Sequence, residues 1–157
     1  MYSSIGFLLL FAWTAAFANA SWAQQWAHPA AYGIYVNANA AGGTRGDTLV
    51  DQLVAAGGNA VVFDVKDRLG RLSYPSEVKL ARAIGASKEA TIDHPAAVVR
   101  SWRDRGLYVI ARLTCFHDAL LAQQRPGMAP LSRLGTGVWS ERGTPNWVDP
   151  ALPEVQQ

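Results

Sequence analysis

The sequence predicts an α/β fold built on parallel strands. Three observations carry that prediction: short β-branched apolar runs, helix-period segments between them, and polar residues gathered at the C-terminal end of each run. Apolar runs without clean alternation suit strands covered on both faces. Their strand, helix, strand order, with these spacings, matches βαβ crossovers.

The first strand is expected at Gly33 to Ala38 (GIYVNA), with Asn37 and Asn39 at its end and a Gly42-Gly43 turn after it. Asp47 then caps a helix whose Leu49, Val50, Leu53 and Val54 recur at helical spacing, with Gly57-Gly58 as its stop. Asn59 to Val65 (NAVVFDV) is the second strand, and Asp64, Lys66 and Asp67 mark its end. The long segment from Arg68 to Thr91 is expected to hold an extended piece at Leu72 to Tyr74 and a helical turn at Leu80 to Ala83. A loop of that length on a strand rim is often functional. Asp93 caps a second main helix near Pro95, with Val98, Val99 and Trp102 buried and Gly106 as its stop. Leu107 to Thr114 (LYVIARLT) is the third strand, and Asp118 caps a helix through Leu120 and Leu121 that ends before Pro126. The tail from Gly127 is rich in Gly, Pro and Ser, with Val138-Trp139 in a short hairpin.

Composition narrows the partners. With 50% hydrophobic and 17% charged residues the chain is globular, not disordered. Fourteen Lys and Arg against twelve Asp and Glu give a net charge of +2, scattered without a basic stripe, so nucleic acid is not an expected partner. The apolar run Ile5 to Phe17 has the length of a signal-peptide core and is too short for a membrane span. Small residues place cleavage after Ala20 or Ala23, although Met1 to Ser4 lacks Lys and Arg. Residues 1–23 are therefore expected to be a signal peptide, 24–31 a linker and 32–157 the folded domain. Export to the periplasm or medium follows, with no stable membrane span after cleavage. The single cysteine, Cys115, excludes an internal disulfide, and its apolar neighbours predict a buried, inert thiol.

No cofactor or metal is expected. The first loop, NANAAGGTRGD, has neither G-x-G-x-x-G nor G-K-[ST]. His28, His94 and His117 show no metal-ligand spacing.

Alternation puts Asp64 and Lys66 on one side of the second strand with Asp67 just beyond. If the strands pair in the order one, two, three, then Asn37, Asn39, Arg112 and His117 gather at the same mouth. That set of donors and acceptors suits sugar hydroxyls, while Asp64, Lys66 and Arg112 equally suit a mutual ion-pair network. Trp139 and Trp147 offer faces for sugar stacking or packing under a loop. His117 is a substrate-binding candidate or a helix-start residue. Asp149 before Pro150 reads as a helix cap.

Several phrases resemble one family of exported bacterial proteins. They are GIYVNANAAGG (33–43), NAVVFDVKDRLGRLSYPSEV (59–78), ARAIGA (81–86), RGLYVIARLTCFHDALLA (105–122) and VWSERGTPNWVDPALPEV (138–155). The family is the putative glycosyl hydrolase domain, grouped with the α-amylase-like (β/α)8 barrels. The resemblance implies that the chain is the N-terminal part, about three βα units, of a (β/α)8 TIM barrel, which takes roughly 250 residues in full. It implies a glycan substrate, in envelope or extracellular polysaccharide. Glycoside hydrolysis uses two carboxylates, for which Asp64 and Asp67 are the local pair. The resemblance places the main acid and nucleophile on strands four and five, so the chain alone is expected to be inactive. The rival expectations are a non-catalytic glycan-binding or envelope-associated module, and a degenerate remnant.

Overall fold

The computed structural model describes residues 30–135 and 137–156. The expected signal segment and most of the linker lie outside them.

Three strands, β1 (Gly33–Val36), β2 (Ala60–Lys66) and β3 (Tyr108–Leu113), form one parallel sheet in the order β1-β2-β3. Gly33 pairs with Ala60 and Ala60 with Tyr108, so all three strands start level and their C-terminal ends share one rim. The helices are α1 (Ala38–Ala41), α2 (Thr44–Ala55), α3 (Lys79–Ile84), α4 (Pro95–Asp104), α5 (Ala119–Gln124) and α6 (Pro153–Gln156), with a 3-10 turn at Pro126–Met128. This is the α/β order read from the sequence: an open three-stranded parallel sheet of the kind found in part of a β/α barrel.

Alternation along the strands divides the sheet into two unlike faces. Ile34, Val36, Val61, Phe63, Val65 and Val109 pack with Val50 and Leu53 of α2 and with Val98, Val99 and Trp102 of α4. Trp102 is buried and meets the Phe63 ring edge-on, with centroids 5.5 Å apart. On the opposite face Tyr35, Tyr108 and Arg112 are exposed. A second apolar cluster, which shares Tyr74 with the first, brings the long loop, α5 and the tail together through Leu72, Ile84, Leu121, Ala122 and Val148.

Several boundaries differ from expectation for local reasons. β1 stops at Val36 because Asn37 becomes a helix cap, its side chain accepting from Ala40 N at 2.9 Å. The expected glycine turn therefore begins as α1. Helix α2 starts at Thr44 with the extended Gly43 as N-cap, so Asp47 lies inside its first turn, where a carboxylate still favours the positive end of the helix dipole. Helix α4 is preceded by His94, not Asp93, with Pro95 as its first residue. Asp149 accepts from Ala151 N at 2.9 Å but shapes a turn, and α6 begins only at Pro153. Cys115 is exposed, contrary to the expected buried thiol, because β3 is an edge strand that ends at Leu113 and releases the chain toward solvent.

Candidate functional site

A feature of β2 organises the site. The ladder to β3 pairs Asp64 with Arg112 and then Lys66 with Leu113, so Val65 is an extra, bulged residue. Its carbonyl turns to the long loop and accepts from Ser73 N at 3.1 Å. Leu72 bridges back to Lys66 in antiparallel fashion, so the loop folds over the end of the strand that launched it. Thr91 and Ile92 then donate their N–H groups to Ser73 O, at 3.0 and 2.8 Å. The loop's far end packs against Gly42, where a Cβ would come within 1.8 Å of Thr91 O. Only glycine permits that approach, and it lets Thr91 Oγ1 reach Ala38 O at 3.0 Å.

These contacts border a half-open cavity of about 290 Å³ at the C-terminal ends of β1 and β2. Asn37, Asn39, Asp64, Lys66 and Asp67 all line it, as the sequence places them, together with Arg71, Ser73, Glu89 and Thr91. The latter four come from the long loop, whose path no short pattern in the sequence specifies.

Around Asp64 the polar groups form a compact cluster. Arg112 grips the carboxylate with two nitrogens, Nε on Oδ1 and Nη2 on Oδ2, the latter at 3.0 Å. The Tyr35 hydroxyl donates to Asp64 Oδ2, and the Arg112 guanidinium lies 4.8 Å from the Tyr35 ring centroid. The hydrogen bond to Asp64 raises the Tyr35 pKa above its ordinary value. Burial and the Asp64 charge add to that rise, while Arg112 opposes it. Arg112 is likewise held above its ordinary value, chiefly by its hydrogen bond to Asp64. Tyr35 carried no expected role. Its alternation with Asn37 on the first strand was the available signal.

Lys66 belongs to a different set of contacts. Its Nζ reaches Asp118 Oδ2 at 2.7 Å and Thr114 O at 2.9 Å. Asp118 caps α5 through Leu121 N at 2.8 Å, and Leu120 N donates to Leu69 O at 2.9 Å. The expected network of Asp64, Lys66 and Arg112 is thus half right. Asp64 and Arg112 pair, whereas the bulge separates Lys66 and delivers it to Asp118.

Asp67 holds the loop turn, with Oδ1 accepting from Leu69 N at 2.8 Å and Arg71 N at 2.9 Å. Gly70 closes that turn at φ 86°, and a Cβ there would lie 2.0 Å from Asp118 Oδ1. Arg71 pairs with Glu89 at 2.6 Å.

Arg112, His117, Trp139 and Trp147 do not line the cavity. His117 and Trp147 bridge their backbones and stack their rings nearly parallel, with centroids 4.4 Å apart. Asp118 N also donates to Asn146 O at 2.8 Å, which ties the tail beside α5. Val138 bridges Leu131, the expected short hairpin. Among the described residues, no three His, Cys, Asp or Glu are grouped to hold a metal ion, and no helix is long and apolar enough to cross a membrane.

The crystal structure of a hypothetical protein from Ruminiclostridium thermocellum ATCC 27405 is similar to this chain, with a TM-score of 0.67 and 32% sequence identity. The match covers 74% of this chain and 60% of that one, so the chain spans somewhat over half of the solved structure it resembles. No curated protein matches significantly. The family profile described as "Putative glycosyl hydrolase domain" matches residues 33–157, a stretch that takes in the whole sheet and every residue of the cavity. The chain belongs to that putative glycosyl hydrolase domain family.

Proposed function

We propose that the cavity at the ends of β1 and β2 binds a glycan, and that the chain forms the substrate-positioning part of a glycoside hydrolase acting on bacterial envelope or extracellular polysaccharide. The observation that carries this reading is the lining itself. Two amides, two hydroxyls and paired charges converge on one cavity at the C-terminal rim of a parallel sheet, where β/α enzymes keep their sites. Membership of a glycosyl hydrolase family supplies the substrate class. Export rests on the apolar run Ile5 to Phe17 and the small residues after it.

In this reading Asp64 and Asp67 position the sugar and do not cleave the bond. Asp64 is committed to Tyr35 and Arg112, and Asp67 to two N–H groups of its own turn. Neither is poised as an acid or a nucleophile, roles that fall to carboxylates on strands other than these three. Calorimetry with cell-wall and exopolysaccharide oligomers tests the proposal. Binding without turnover by the purified chain is the expected result. Failure to bind any such oligomer would remove the glycan role, and turnover would overturn the division of labour.

The same commitment of both carboxylates favours a second reading, a glycan-binding module with no hydrolytic part at all. Hydrolysis assays on the natively exported protein separate the two.

A further inference from the structure

We infer that the cavity sorts glycans by charge, admitting neutral and amine-bearing sugars and excluding uronate, sulfated and phosphorylated ones. The inference rests on the glycan reading above and adds the substrate class. Every cation at the cavity already holds a carboxylate. Lys66 pairs with Asp118, Arg71 with Glu89, and Arg112, beside the cavity, with Asp64. An anionic sugar would meet cations whose charge is already offset, next to the remaining negative charge, and that balance acts against the wrong ligand.

The remaining charge is Asp67. Three carboxylates, Asp64, Asp67 and Glu89, line the cavity against two cations, Lys66 and Arg71. Counting the outer partners Arg112 and Asp118 leaves the balance at one surplus negative charge. The two N–H groups on Asp67 fall on Oδ1, and among the described residues no Lys or Arg forms an ion pair with its carboxylate. Arg68 is exposed on the same turn and does not line the cavity, so water and salt weaken its influence there. The neutral part of the lining is matched to uncharged sugar groups. Asn37 spends its carbonyl oxygen on Ala40 N and keeps its amide NH2, Asn39 is exposed, and Ser73 and Thr91 bring hydroxyls.

Three oligomers of matched length test this with the whole chain: an N-acetylhexosamine oligomer, its deacetylated amine form, and a uronate oligomer. Calorimetry at low salt should find the amine form bound roughly three- to tenfold tighter than the neutral one, and the uronate at least about tenfold weaker. Raising the salt should compress both gaps. Asp67→Asn keeps Oδ1 for the turn while removing the charge, so it should bring the ratio of amine to neutral affinity close to one. Glu89→Gln releases Arg71 and should improve uronate binding several-fold. Binding indifferent to charge, or an amine preference that survives Asp67→Asn, overturns this inference alone. Failure to bind any of the three overturns it together with the glycan reading.

Discussion

The two acidic and basic pairs anchored on β2 lie two residues apart and differ in nearly every physical respect. In the Lys66–Asp118 pair both side chains are withdrawn from water, at 16% and 4% exposure, and each is tied to backbone as well. In the Asp64–Arg112 pair the carboxylate is 10% exposed but its guanidinium is 55% exposed on the open face of the sheet. The first pair joins β2, the Asp67 turn and the start of α5. The second leaves a cation and the Tyr35 hydroxyl beside a polar cavity, where a ligand can reach them. Similar residue types therefore tie the scaffold together on one side of the Val65 bulge and stand open beside the cavity on the other. Burial of both partners, more than charge or spacing, marks the difference.

Breaking the buried pair should have the largest effect. Lys66→Met leaves Asp118 without its cation, and the expected loss is about 3 kcal/mol of folding stability, read by urea denaturation. A loss below about 1 kcal/mol would place Lys66 with the open Asp64 cluster instead. Gly70→Ala attacks the same junction through the backbone. Its positive φ and the approach of Asp118 predict about 2 kcal/mol of destabilisation in the same assay.

The open Asp64 side should respond to pH more than to denaturant. Because the folded Tyr35 pKa is raised, its contribution to stability is fully present below the ordinary tyrosine value of 10.0 and is lost as pH rises through the higher folded value. A phenolate absorbance titration, compared with Tyr35→Phe, should locate this residue above the ordinary range. Asp64→Asn should return it toward that range, since the hydrogen bond to that carboxylate is the largest cause of the shift. An unmoved Tyr35 titration in that variant would contradict the hydrogen bond.

Much of the fold was legible because it depends on local pattern. The three apolar runs became the three strands, and Asp118 caps α5 as its position before the apolar Leu120 and Leu121 implies. The cavity residues Asn37, Asn39, Asp64, Lys66 and Asp67 were legible for the same reason, since each sits at or just beyond a strand end. What escaped depends on long-range geometry. The Val65 bulge is set by a loop residue, Ser73, taking the Val65 carbonyl, and it undoes the period-2 argument that coupled Asp64 with Lys66. Arg71, Glu89 and Thr91 reach the cavity through the fold of the loop, and Tyr35 gains its role from partners 29 and 77 residues away. His117, a binding candidate or helix-start residue, and Trp147, expected to stack on a sugar or pack under a loop, meet each other across the tail bridge.

The proposed division of β2 into a structural and a substrate-facing half is tested most directly by the glycan affinity of Asp64→Asn, measured by calorimetry against the unmodified chain with one neutral oligosaccharide. Loss of the carboxylate frees Arg112 and the Tyr35 hydroxyl from their fixed positions beside the cavity. Binding should become at least about tenfold weaker, as expected when a charged hydrogen-bonding group at a site is removed. Unchanged affinity would contradict the division and would make the Asp64 cluster, like Lys66 and Asp118, a part of the scaffold.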